Sequence, residues 1–320
     1  MKRIAFIVNP ISGTGHKEAI LKYIKEIFVQ EKGYFPEFYT TKGPGDAYAA
    51  AVKYKNEAFD IVVAIGGDGT VNQVAKGLIN SNVKLAVIPV GSGNGLARHL
   101  KIPLSYHKAV DVILSENVQL IDAGKINEEI FFCTAGLGFE AVIGDRFNSS
   151  GSRGLMTYIE FCAKEYVKYR RETYHINIPG NEHECKAFLI TFANCAQWGN
   201  NAFIAPDANI SDGMIDMVIW KRAPLVNMPV LTAGLFLKTL QYSEFIDTYR
   251  CKEVKITRQD EGLIQFDGES RVMGKEITVS VLPHAVRAIV PDYKKSLVYS
   301  GNIVTQLNEL IPRMTDFKNR

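Results

Sequence analysis

Ile61-Val62-Val63-Ala64-Ile65 runs without a break into Gly66-Gly67-Asp68-Gly69-Thr70, and Val71, Val74, Ala75, Leu78 and Ile79 then recur at helical spacing. An unbroken apolar run rich in β-branched residues suits a strand buried on both faces, as in a parallel sheet. Glycines between that strand and the helix let the backbone come close to a ligand. The first turn of the helix offers N–H groups with no intrahelical partner, which suit a phosphate. Asp68 would repel a phosphate directly. It has a use there if it holds Mg²⁺ or orients a hydroxyl beside the phosphates. A tight strand-to-helix turn with Asp68 as N-cap accounts for the same residues, so this stretch alone leaves both readings open.

The same pattern extends outward. Ile4 to Val8 is a continuous apolar strand, followed by Ile20, Leu21, Ile24, Ile27 and Phe28 at helical spacing. Tyr34 to Thr40 predicts a strand, Ala47 to Tyr54 a helix and Leu85 to Ile88 another strand, with short helices near Leu96 to Leu100 and Ala109 to Leu114. This alternation predicts a parallel sheet with crossover helices, whose ligands sit at the carboxyl ends of the strands. Two more small, polar loops lie at that edge: Asn9-Pro10-Ile11-Ser12-Gly13-Thr14-Gly15 and Pro89-Val90-Gly91-Ser92-Gly93-Asn94-Gly95. Turn chemistry explains each loop, but not their concentration on one edge. None is a Walker A loop, and the protein-kinase motif set is absent.

From about Val118 the texture changes. Phe131 to Thr134, Tyr174 to Ile178, Ala187 to Phe192, Ile215 to Trp220, Val254 to Ile256, Leu263 to Phe266 and Ile277 to Leu282 predict strands. Leu155 to Tyr169 and Val226 to Leu240 predict helices between them. The expectation is an α/β domain over residues 1–122 and a mainly antiparallel β-sandwich over 123–290, with 291–320 returning to the first domain through a helix within Ser296 to Leu310. A length of 320 residues fits two domains. Lys plus Arg is 37 against 34 for Asp plus Glu, a net +3 that argues against a nucleic-acid binder. The cysteines, Cys133, Cys162, Cys185, Cys195 and Cys251, form no C-x-x-C pair, which points to a reducing cytoplasm. The apolar start is too short for a signal peptide, and Ala223 to Leu240 is broken by Asn227, Pro229 and Lys238, so it does not read as a membrane span.

Two further acidic turns carry chemistry. Phe266-Asp267-Gly268-Glu269 is either a hairpin turn or the source of the carboxylate that accepts a proton from an attacking hydroxyl. Asn209-Ile210-Ser211-Asp212-Gly213-Met214 is either a hairpin turn or an Mg²⁺ site of one carboxylate, carbonyls and waters. Arg98 and His99 follow the third loop and read as capping or solvated residues. Arg153, Lys164, Lys168, Arg170 and Arg171, with Tyr158, Phe161, Tyr166 and Tyr169, form a basic, aromatic helix that suits either a solvated face or an anionic lipid surface.

The ordered set Asn9-Pro10-x-Ser12-Gly13, Gly66-Gly67-Asp68-Gly69-Thr70-x-Asn72, Pro89-x-Gly91-Ser92-x-Asn94, Pro206 to Asp216 and Phe266-Asp267-Gly268-Glu269 resembles the diacylglycerol kinase catalytic-domain superfamily, in particular its soluble bacterial lipid kinases. It is similar also to sphingosine and ceramide kinases. The resemblance implies ATP and Mg²⁺ as cofactors, with ATP lined by Asn9, Pro10, Ile11, Ser12, Gly13, Thr40 or Thr41, Gly66, Gly67, Asp68, Gly69, Thr70, Val71, Asn72, Gln73, Ser92 and Asn94. It implies Asp68 at the Mg²⁺–ATP centre, Glu269 as the base, and a structural metal on the Asp212 side chain and the carbonyls of Asn209 and Met214. Gln73 stands where these kinases usually carry Glu, which removes a negative charge. Gly91-Ser92-Gly93-Asn94 is closer to the sphingosine and ceramide kinase form. The expectation is an ATP-dependent kinase of diacylglycerol or a related lipid, cytoplasmic and peripheral at the inner membrane surface, with a homodimer allowed. An NAD kinase, a sphingoid-base or ceramide kinase and a non-catalytic nucleotide- or lipid-binding regulator are the alternatives.

Overall fold

The computed structural model describes residues 1–13, 17–149 and 155–292. The expected tail helix, Thr14-Gly15 and Arg153 lie outside the described residues. The first half of the chain reads β1 (Lys2–Val8), α1 (Lys17–Ile27), β2 (Tyr34–Thr40), α2 (Asp46–Asn56), β3 (Ile61–Gly66), α3 (Asp68–Gly77), β4 (Lys84–Pro89), α4 (Gly95–His99), α5 (Tyr106–Ser115) and β5 (Val118–Ile126). After β6 (Glu129–Phe131), β7 (Thr134–Gly138), α6 (Phe139–Ser149) and α7 (Leu155–Lys168) come β8 (Glu172–Ile178), β9 (Asn181–Ala187), β10 (Leu189–Ala193) and the short β11 (Gln197–Gly199) and β12 (Ala202–Phe203). The chain continues with β13 (Ile215–Trp220), α8 (Met228–Leu237), β14 (Ile246–Cys251), β15 (Glu253–Arg258), β16 (Gly262–Phe266), β17 (Glu269–Met273) and the long β18 (Glu276–Ile289).

Strand β3 pairs in parallel with β1 on one side and β4 on the other, and all six of its residues are buried. Its continuous apolar sequence is therefore the signature of the sheet centre rather than of an edge. Beyond β4 the sheet does not stop. Strand β18 pairs in parallel with β4 through Arg287–Lys84 and Ala288–Leu85, and in antiparallel register with β5 and β15. The order β2-β1-β3-β4-β18-β15-β8-β9 makes one sheet that runs from the parallel α/β part into the β-rich part. The second sheet, β14-β13-β10-β7-β16-β17, is antiparallel throughout. It packs against the first around a core that includes Phe131, Tyr174, Phe192 and Phe266. The α/β part plus antiparallel sandwich is as expected, but one face of the sandwich is a continuation of the parallel sheet. Residues 122 and 123, where the sequence suggested a boundary, lie inside β5.

Two local differences matter for the site. Phe131 to Thr134 is not one strand: β6 ends at Phe131 and β7 begins at Thr134. The N–H groups of Phe132, Cys133 and Thr134 turn instead to the carboxylate of Asp267. Helix α8 is shorter than Val226 to Leu240, because Lys238 takes a left-handed conformation that closes it. The β16–β17 hairpin is anchored by the buried Arg258, whose guanidinium donates to the carbonyls of Gly262, Met273 and Gly274.

Candidate active site

The carboxyl ends of β1, β3 and β4 bring the three polar loops together, as their positions in sequence imply. Asn9 ties the first to the second: its side-chain amide donates to Thr70 Oγ1 at 2.9 Å, while its Oδ1 accepts from Ile11 N and its carbonyl from Ser12 Oγ. The second and third loops touch through glycine. A Cβ on Gly67 would stand 3.2 Å from the Gly91 Cα, tighter than ordinary contact, and one on Gly93 would stand 2.7 Å from Asp68 Oδ2. Side chains at these positions would force the loops apart. Helix α3 begins after Gly67 with no side-chain cap, so its first-turn amides are left for another partner.

Asp68 does not cap its own helix. Its Oδ2 accepts from Asn94 N at 2.8 Å and its Oδ1 from Gly95 N at 2.5 Å, which orders the third loop and opens α4. Asn94, in a left-handed conformation, closes that loop on itself through Gly91 N and Gly91 O. Each Asp68 oxygen keeps a free lone pair, and the residue lines a cavity of about 370 Å³ between the two parts of the chain. Mg²⁺ usually keeps several waters and takes one or two carboxylates plus phosphate oxygens, and Asp68 among amide-rich loops fits that donor set.

The opposite wall belongs to Asp267. Asp267 and Gly268 both have positive φ and form the two-residue turn between β16 and β17, where Phe266 pairs with Glu269. The Asp267 carboxylate reaches back to accept from Phe132 N at 2.6 Å, Cys133 N at 2.8 Å and Thr134 N at 3.1 Å, and from the Asn72 side chain. It thus joins α3 of the α/β part to the start of β7. Burial pushes its pKa up to about 6, against the three backbone donors that pull it down.

Among the residues expected in the site, Asp68, Asn72 and Ser92 line the cavity. Thr70 and Thr41 are buried nearby in the fold, whereas Ile11 is 82% exposed and Thr40 is exposed at the end of β2. Gln73 is half-buried on α3 and absent from the cavity wall. Glu269 is exposed and is not among the residues lining the cavity, because the tight turn sends Asp267 inward and starts β17 on the outside, next to the lining residue Gly268. The Asp212 carboxylate is partnered within the chain: its Oδ2 lies 2.8 Å from Arg250 Nη2 and its Oδ1 accepts from Met214 N. Asn209 spends its side-chain oxygen on Ser211 N, and Gly213 N is held at 2.7 Å by the fully buried Asp122.

The basic helix is α7. Lys164 pairs with Glu160, Lys168 approaches Glu165, and Tyr166 is buried and donates to the Ala223 carbonyl. Among the described residues, Val167 is exposed on this helix, and a further exposed apolar group lies at Leu225, Val226, Val230 and Leu237. His99, read as capping or solvated, is instead mostly enclosed. Its Nδ1 accepts from Ala196 N at 3.2 Å, and burial lowers its pKa to about 4. The cavity residues that the sequence did not single out include Glu140, Trp198 and Gln265. Glu140 follows Gly136-Leu137-Gly138-Phe139, a small-residue strand end that was a legible cue. Trp198 and Gln265 gave none.

Comparison with known proteins finds two family models in tandem: "Diacylglycerol kinase catalytic domain" over residues 3–126 and "YegS C-terminal NAD kinase beta sandwich-like domain" over residues 133–290. A diacylglycerol kinase of Bacillus subtilis is 30% identical over 304 residues, covering 92% of this chain and 98% of its own. One from Staphylococcus aureus is 27% identical over 234 residues, 71% of this chain and 73% of its own. The crystal structure of a diacylglycerol kinase from Bacillus anthracis superposes with a TM-score of 0.73 at 21% identity, over 91% of this chain and 98% of that one. An NAD kinase from Archaeoglobus fulgidus, solved with ATP, shares the fold at a TM-score of 0.52 and 12% identity, over 93% and 97% of the two chains.

Proposed function

Since the chain belongs to the diacylglycerol kinase catalytic-domain family and is a lipid kinase, we propose that it moves the γ-phosphate of ATP to the free hydroxyl of a diacylglycerol-type lipid held in the cavity between Asp68 and Asp267. The observation that carries this is the placement of Asp68. One carboxylate organises the glycine loops and also faces a cavity walled on its far side by the second part of the chain.

Mg²⁺–ATP, when bound, supplies the transferable phosphoryl group and neutralises part of its charge. The chain's own residues position and shield. The uncapped first turn of α3 offers N–H groups to phosphate oxygens, and the contact between Gly67 and Gly91 keeps side chains out of their way. Asp267 fixes the Phe132 to Thr134 backbone and Asn72 so that the cavity wall is set before the acceptor arrives. Glu269, exposed next to the cavity residue Gly268, takes the hydroxyl proton when the acceptor sits at the rim. The lipid approaches past α8. That helix packs on β12, whose hairpin partner β11 carries Trp198 into the cavity wall, and its exposed Val230 and Leu237 contact a bilayer surface beside the entrance.

The test is transfer of labelled phosphate from ATP into defined lipids by wild type, Asp68→Ala and Glu269→Gln. Loss of at least about a hundredfold in turnover is expected for Asp68→Ala and about tenfold or more for Glu269→Gln. Unchanged turnover in Asp68→Ala removes the proposed centre, and unchanged turnover in Glu269→Gln removes the proposed base.

A further inference from the structure

Strands β11 and β12 form a two-stranded ribbon that belongs to neither large sheet. Its Trp198, Gly199, Asn200 and Ala202 wall the acceptor cavity together with Gly95 and Leu96 of α4. So short a ribbon takes its position from what it rests on. Strand β12 packs against α8, and β11 packs against α4. The root of the ribbon is the buried Ala196. Its carbonyl accepts from Ala205 N at 3.1 Å, and Gln197 stays within the ribbon by accepting from Asn201 N at 3.0 Å. The Ala196 N–H leaves the ribbon and donates at 3.2 Å to Nδ1 of His99, the last residue of α4. At its other end α4 belongs to the glycine loops. Asp68 holds Asn94 N and Gly95 N, Asn94 closes on Gly91, and Arg98 Nε turns back to the Gly93 carbonyl at 2.8 Å. Loop and helix are thus cross-braced from Gly91 to His99.

We infer that His99 is a positioning residue of the acceptor site: through Ala196 it sets the ribbon that walls the cavity, so that nucleotide on the glycine loops tightens the hold on the lipid. This rests on the lipid-kinase reading and adds how one substrate's site acts on the other's. His99 itself is not among the residues lining the cavity. The carboxylate that would meet Mg²⁺–ATP, Asp68, is the one that holds the first residues of α4, so occupancy acts on α4 directly. From there the path is a run of direct contacts through one helical turn and one hydrogen bond. Linkage makes the effect mutual, so the lipid tightens nucleotide binding by the same factor.

The experiment uses the ribbon's own tryptophan. The chain has two, Trp198 and Trp220. Trp220 lies in the core with its indole N–H unpartnered, so Trp220→Phe loses no hydrogen bond and leaves Trp198 as the reporter. In that background, Trp198 emission is followed as Mg²⁺ and adenylyl imidodiphosphate are added, and nucleotide binding is read separately by displacement of a fluorescent analogue. His99→Leu and His99→Asn are compared because they have the same shape and only Asn returns an acceptor near the place of Nδ1. The parent is expected to shift its Trp198 emission with nucleotide. In His99→Leu nucleotide still binds, the shift is lost, and KM for 1,2-dioctanoylglycerol rises about fivefold with kcat within about twofold. His99→Asn restores both. His99→Phe, which keeps the bulk of the ring without an acceptor, repeats the Leu result should Leu fold poorly. No shift in the parent with nucleotide bound, a shift that survives both Leu and Phe, or no restoration by Asn overturns the inference. If no lipid is phosphorylated by wild type, the kinase reading fails, and the Trp198 response still decides the role of His99.

Discussion

Replacing Asp267 by Ala tests whether one carboxylate joins the two parts of the chain. The substitution strips the acceptor from Phe132 N, Cys133 N, Thr134 N and the Asn72 side chain. An enclosed donor left unpaired costs about 1–3 kcal/mol, and partial entry of water lowers the sum, so a loss of about 3–5 kcal/mol is expected at pH 5. The loss depends on pH in a fixed direction. The folded-state pKa is raised from 3.8 to about 6, so the stability this group contributes is fully present below 3.8 and is lost as pH rises through 6. The alanine variant lacks that titration. Its deficit is therefore smaller at pH 7.5 than at pH 5, by about 1–2 kcal/mol. Urea unfolding followed by tryptophan fluorescence, with matched m values, measures both numbers. Asp267→Asn, which keeps one acceptor oxygen, should fall between wild type and alanine. A deficit below about 1 kcal/mol at pH 5, or one that grows with pH, refutes the argument.

Other outcomes follow from the same geometry. Gly91→Ala should abolish ATP binding in a fluorescent-nucleotide titration while leaving the melting temperature within a few degrees, because its Cβ would press on the Gly67 backbone. His99 has a folded-state pKa lowered from 6.5 to about 4, so its stability contribution is present above 6.5 and fades as pH falls toward 4. His99→Gln should flatten that acid limb by about 2–3 kcal/mol in urea midpoints taken from pH 7 to pH 4. Val230→Glu with Leu237→Glu, at 74% and 70% exposed positions, should lower sedimentation with anionic vesicles several-fold and leave phosphorylation of a short-chain, dispersed lipid unchanged. Unaltered sedimentation would remove α8 from the lipid-facing surface.

The α/β part was legible because its signals are local. An unbroken apolar run such as Ile61 to Ile65 followed by glycine and a helical period has few structural solutions, and all six residues of β3 are buried as that run implies. The convergence of Asn9, Asp68 and Asn94 was legible too, since strand ends in a parallel sheet share one edge. Long-range partners were not. Nothing in the sequence around Phe266-Asp267-Gly268-Glu269 tells which carboxylate turns inward. That choice depends on whether the Phe132 to Thr134 amides are free, 134 residues away in the case of Cys133. The same holds for Asp212, whose charge is met by Arg250 from a neighbouring strand, and for His99, whose partner is a backbone N–H near β11. Glu140 opens α6 after a small-residue strand end, but its enclosure depends on distant partners such as Thr191.

Strand β18 crosses from one part of the molecule to the other as a single ribbon. It is bonded to β15 at one end and to β4 at the other, with a register slip between Leu282 and Val286 and a left-handed His284 within it. Asp122 grips the His284 amide at 2.6 Å. A molecule wired this way cannot gape like a pair of hinged jaws, because swinging the lobes apart would tear a ladder of main-chain bonds. The register slip at 283–285 is where that ribbon can twist without breaking its ladder, so a twist of the α/β part is handed along β18 to the sandwich.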